Sequence, residues 1–213
     1  MFVGSPLSGQ EAWAPRGAWV AVVFHMDRAN QANGRYSIQV QPNGTGAYWV
    51  GPPDFDLTEA SGVQKITVSK ATLEKIGAAL PMVLGGACET HSKHLAQTGR
   101  KTLSFKFAGS SAECEFNYSD DQRLNQAETA FEAIGETMID GQKLVHDQRF
   151  DRLGLDADMD SLIAEMKDGR AIEVQNLAPV LQSIAEDERV MDRVRRKAAR
   201  LLQEIAAAPA NAR

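Results

Sequence analysis

Leu103, Phe105 and Phe107 alternate with Thr102, Ser104 and Lys106, and after Ala-Gly-Ser-Ser the pattern resumes with Cys114, Phe116 and Tyr118 against Glu113, Glu115 and Asn117. A period of two marks a strand with one buried face, so residues 100–118 predict a β-hairpin. A turn centred on Gly109-Ser110 pairs Phe105 with Cys114 and Leu103 with Phe116, and sets Lys106 opposite Glu113. A one-residue slip sends the two apolar sets to opposite faces, which excludes it. Ser119-Asp120-Asp121 then offers helix N-caps, with negative charge at the positive end of the helix dipole. Leu124, Ala127, Phe131, Ile134 and Met138 follow at spacings of 3, 4, 3 and 4, one apolar stripe on a helix that reaches past Gly141 to Val145.

The rest of the pattern extends this unit. Ala18–Met26 is apolar on both parities and predicts a central or doubly covered strand. Gly34–Val50 predicts a second hairpin, with Tyr36, Ile38 and Val40 on one face and a Pro42-Asn43-Gly44 turn. Val63–Val68 predicts a further strand. Ser69 caps a helix carrying Leu73, Ile76 and Leu80, which Pro81 kinks or ends. From residue 155 the periodicity is helical throughout: Asp156–Lys167, Val174–Ala185 with Pro179 in its first turns, and Val190 to about Ala207. Consecutive strands broken by helices predict an α+β fold, an antiparallel sheet with helices packed on one face, followed by a C-terminal three-helix segment. The implied division is an arm at 1–17, a sheet domain at 18–154, a helical segment at 155–207 and a tail at 208–213.

Charge and length narrow the function classes. The 213 residues carry a net charge of −5, without the basic footprint of a nucleic-acid binder. No run approaches the apolar length of a membrane span. The start, MFVGSPLSG, lacks the basic and apolar regions of a signal peptide. The last helix is basic, with Arg189, Arg193, Arg195, Arg196, Lys197 and Arg200, while residues 120–170 hold 13 acidic and 6 basic side chains. Pairing between these two regions is the expected use of that charge; docking of an acidic partner by a cytoplasmic adaptor is the alternative.

Few residues carry candidate chemistry. Cys88 and Cys114 flank the connection back to the hairpin, and a disulfide there stabilises by roughly 3 kcal/mol in the chain-entropy view and implies an oxidising compartment. Two unrelated buried thiols in a cytoplasmic protein are the alternative. Cys88, His91, His94 and Cys114 together offer two thiolates and two imidazoles, a tetrahedral metal set for a metal-binding module or metal-dependent hydrolase, though the spacing is unlike that of zinc fingers and a disulfide consumes both sulfurs. Asp156, Asp158 and Asp160 resemble the start of a calcium loop, but Ser161 and Lys167 stand where glycine and glutamate are needed, so first-turn helix acids explain them better. Tyr48, Trp49 and Phe55 beside Pro52-Pro53 suggest an aromatic contact for a peptide or sugar, against packing over the sheet edge. His25 ends a strand, and His146 adjoins Asp147. No nucleophile elbow, phosphate loop or His-Glu-x-x-His is present.

The run CETHSKHLAQTGRKTLSF at 88–105, followed by ECEFNYSDD at 113–121 and a long helix, resembles an exported bacterial protein family of no assigned activity. The resemblance spans about residues 60–205 and rests on the two cysteines, Thr98-Gly99 and Phe116-Asn117-Tyr118-Ser119. It implies export and favours the disulfide, and it transfers no catalytic residue and no cofactor. The expectation is a non-enzymatic, periplasmic or secreted protein that binds another protein or a cell-envelope component.

Overall fold

Six segments form strands, and they assemble into one antiparallel sheet. The computed structural model describes residues 18–28, 34–53, 62–86, 88 and 99–207. The strands are β1 (Ala21–Asp27), β2 (Arg35–Val40), β3 (Thr45–Val50), β4 (Gln64–Thr67), β5 (Arg100–Phe107) and β6 (Ser110–Phe116). Their order across the sheet is β4-β3-β2-β1-β5-β6. β1 lies in the middle, as its double-sided apolar pattern requires: Val22, Phe24 and Met26 are buried on one face and Ala21 and Val23 on the other.

The β5–β6 hairpin forms, but two residues out of the expected register. Leu103 faces Cys114, Phe105 faces Ala112 and Lys106 faces Ser111. The loop is Ala108-Gly109, because the positive φ demanded by the second turn position falls on Gly109 at 84°. A shift of two residues keeps every side chain on its face, so alternation alone cannot detect it.

Helices α1 (Lys70–Gly77), α2 (Leu80–Gly85) and α3 (Gln122–Phe150) cover one face of the sheet. Asp121 is the N-cap of α3, its carboxylate accepting from the backbone N–H of Arg123 and Leu124. Phe131 of α3 stacks on Phe24 with ring centroids 4.9 Å apart. Gly135 and Gly141 do not weaken α3. A Cβ at Gly135 would meet the Tyr36 ring at 2.5 Å, and one at Gly141 would meet Leu177 at 2.5 Å, so both serve close approach.

The same helix belongs to a second apolar cluster. Leu144 of α3 packs with Leu155 and Leu162 of α4 (Leu155–Lys167), Leu181 and Ile184 of α5 (Ala178–Glu186) and Val194 of α6 (Asp192–Ala207). The expected single helix from Val174 opens instead as a 3-10 turn over Val174–Leu177, and α5 starts beside Pro179, where the missing N–H is unneeded.

Glu173 ties the two clusters together. It is buried, adopts a left-handed φ of 57°, and turns its carboxylate onto the N-cap of α1. The Ser69 backbone N–H donates to it at 3.0 Å and the Ser69 hydroxyl at 2.7 Å. Glu173→Ala leaves the buried Ser69 N–H unpaired, while the hydroxyl keeps Thr72 as a partner, and is expected to cost about 1–3 kcal/mol in urea unfolding. Ser69→Ala added to it should cost less than it does alone, because the two residues act as one unit.

Candidate interaction surface

Among the described residues, a histidine and a serine of the sheet are engaged in structural hydrogen bonds. His25 and Ser37 sit opposite each other on β1 and β2. His25 Nδ1 lies 2.9 Å from the Ser37 hydroxyl, which itself donates to the Gly51 carbonyl at 2.8 Å. With its proton committed there and its side chain fully buried, Ser37 is an acceptor towards the imidazole, the reverse of an activated nucleophile. His146 is exposed and lies against the Phe150 ring, while Asp147 pairs with Lys143 at 3.4 Å.

Tyr48 and Trp49 do not share a surface. Successive strand residues point to opposite faces, so Tyr48 enters the core beside Tyr36 while Trp49 lies on the other face. Both are buried, at 0% and 2% exposure, and the Trp49 indole N–H donates to the Pro52 carbonyl at 2.7 Å. Phe55 lies outside the described residues. The Tyr48 hydroxyl is buried without a hydrogen-bond partner among the described residues, and burial, with Glu136 adding to it, pushes its phenol up to about 12.

A buried charge lies under the same sheet, unforeseen. Lys101 has the inward parity of β5, and its ammonium contacts Glu128 and lies 3.4 Å from Glu132 on α3. Arg28 reaches Glu132 at 3.0 Å. Burial raises the Glu128 carboxyl above its ordinary value despite the ammonium beside it. The signal was present in the parity of position 101, which matches Leu103.

Further along α3, Asp140 faces Glu165 of α4, and one of its oxygens is buried without a partner among the described residues. Burial, then the Glu165 charge, push its carboxyl up to about 7; Glu136 adds to this and Lys143 opposes it. Arg170 approaches Glu165 at 3.6 Å. A raised folded-state value means that the folded chain holds the proton more tightly than the unfolded one. Stability contributed by Asp140 is therefore full below about pH 4 and lost as pH rises to about 7. Asp140→Asn is expected to flatten thermal stability across that window and gain about 1–2 kcal/mol above it, the partial exposure of the site screening the rest.

Cys88 and Cys114 come together as expected. They form a disulfide-distance pair with Cα atoms 5.9 Å apart, inside the usual range, and no described cysteine is free. This takes both sulfurs from the four-residue metal set. His91 and His94 lie outside the described residues, and among the described residues no three His, Cys, Asp or Glu side chains converge on a cation position. The aspartates of α4 are occupied by cations of the chain itself: Lys197 contacts Asp156 and Asp160, Arg193 contacts Asp156 at 3.0 Å, and Lys143 contacts Asp158. Arg189, Arg195, Arg196 and Arg200 likewise hold neighbouring carboxylates. The basic helix is thus partnered within the molecule.

The two edges of the sheet differ. At β4, the Asn176 side-chain amide accepts from the Thr67 N–H at 2.8 Å and donates to the Thr67 carbonyl at 3.0 Å, as a further strand would. At β6 nothing of the kind occurs among the described residues. The Cys114 end of the disulfide lies in this strand, so the edge is fastened at its middle to the segment after α2. Among the described residues no helix is long and apolar enough to cross a membrane. No protein-family model matches the chain, and no curated protein or solved structure matches it either.

Proposed function

We propose that the chain is a non-enzymatic binding protein of an extracytoplasmic compartment, recognising another protein or a cell-envelope component. The Cys88–Cys114 pair carries this reading. It braces an exposed sheet edge, and such a bond persists in oxidising surroundings. The fate of the polar residues supports it further. The Ser37 hydroxyl, the Lys101 ammonium and the Glu173 carboxylate are each committed to an internal partner, leaving no poised nucleophile or base among them.

The reading is tested on protein isolated from an oxidising compartment, carrying a photo-activated crosslinker at exposed positions one at a time. Adducts confined to one contiguous face are expected, on chains that are lighter by two hydrogens before reduction. Adducts at no position, or two titratable thiols in such material, would overturn it.

A further inference from the structure

We propose that β6 is a strand-addition site for an extended segment of another protein whose alternate side chains are lysine or arginine. This rests on the reading above and names the partner for it. In an antiparallel ladder, alternate residues turn their N–H and C=O towards the neighbouring strand and the others turn them away. The tight loop makes Phe107 and Ser110 a bonded pair, which assigns Ser110, Ala112, Cys114 and Phe116 to β5. Ser111, Glu113 and Glu115 then present their backbone groups outward, and among the described residues no backbone hydrogen bond outside the hairpin uses them. Main-chain pairing of this kind gives affinity to an incoming strand, while the alternating side chains choose it.

Charge selects the occupant. Glu113 and Glu115 lie side by side on the exposed face of β6. Glu115 has a surface contact with Arg100 at 3.2 Å, and Glu113 has no cation beside it among the described residues. A second copy pairing antiparallel through β6 sets these carboxylates against one another, which is unfavourable for directly opposed like charges. A basic strand meets the opposite sign. The disulfide holds the middle of β6 in place beforehand, so less freedom is lost when a guest strand docks.

The test uses the full oxidised chain and two short synthetic peptides, one alternating lysine with threonine and one alternating glutamate with threonine. Amide hydrogen exchange is followed residue by residue. The lysine peptide is expected to slow exchange at Ser111, Glu113 and Glu115 by about tenfold or more, with the glutamate peptide inert. The double variant Glu113→Lys/Glu115→Lys should reverse that preference. Glu113→Pro, which removes an outward N–H and no ladder bond, should abolish protection without a comparable loss of the unfolding midpoint. Unchanged exchange at these amides, equal protection by both peptides, or protection that grows with protein concentration alone would overturn the proposal. The last outcome would assign the edge to a second copy. If crosslinks form on another face while β6 stays unprotected, this inference fails and the binding reading stands.

Discussion

Lys101→Ala is expected to destabilise the protein by about 3–5 kcal/mol at neutral pH, the range for removing one partner of a buried ion pair. The ammonium is 4% exposed and lies between Glu128 and Glu132, with the Asn117 carbonyl at 3.5 Å. Its removal strands a half-buried carboxylate beneath the sheet. Glu128 already holds its proton more tightly than an ordinary glutamate, and without the lysine it holds it tighter still. The loss should therefore shrink at mildly acidic pH, where Glu128 is neutral. Lys101→Met with Glu128→Gln should recover most of it, since an uncharged pair of similar volume leaves no buried charge. Urea unfolding of the three proteins at pH 7 and near pH 4.5 reads both effects. An alanine variant as stable as the parent at neutral pH would mean that the pair is solvated in solution.

The second large effect belongs to the bond between Cys88 and Cys114. Its partners are 26 residues apart, and closing a loop of that size restricts the unfolded chain by about 3–4 kcal/mol. Cys88→Ala with Cys114→Ala is expected to lose about that much, within the 2–5 kcal/mol typical of native bridges in small secreted domains. Reduction of the parent protein should shift its urea midpoint by a similar amount, and should shift the variant by none. A reductant effect in the variant would point to some other change. Because Cys114 lies in the outermost strand, the variant should also show faster amide exchange along Ser110–Phe116 than along β1.

Most of the architecture was legible because burial imposes period on composition. The inward faces of β1, β2, β5 and β6, the stripe of α3 and its Asp121 cap were all readable from spacing. What escaped was whatever spacing leaves undetermined. The hairpin register differs by two residues from the one spacing suggests, because alternation is blind to an even shift and only the loop glycine decides it. Tyr48 and Trp49 are neighbours in sequence, yet strand geometry separates their side chains by the whole sheet. A lysine at inward position 101 contradicts the apolar pattern, and its carboxylate partners are remote from it in sequence, on α3. Glu173 gives no sequence signal, since its partner Ser69 is about a hundred residues upstream. Of the basic last helix only Arg193 and Lys197 reach the acidic aspartates that charge totals pointed to; Arg189, Arg195, Arg196 and Arg200 pair with carboxylates of their own segment, which totals cannot distinguish.

The amide of Asn176 on Thr67 has a further effect on how the molecule behaves at high concentration. A sheet polymerises only if each newcomer exposes a fresh margin for the next. Here one margin is four residues long, with Thr67 already satisfied and Lys65 as its other outward residue. Copies of this chain can therefore pair edge to edge only through β6, and such a pair buries both β6 margins, which leaves open-ended fibres of this chain without a second point of attachment among the described residues.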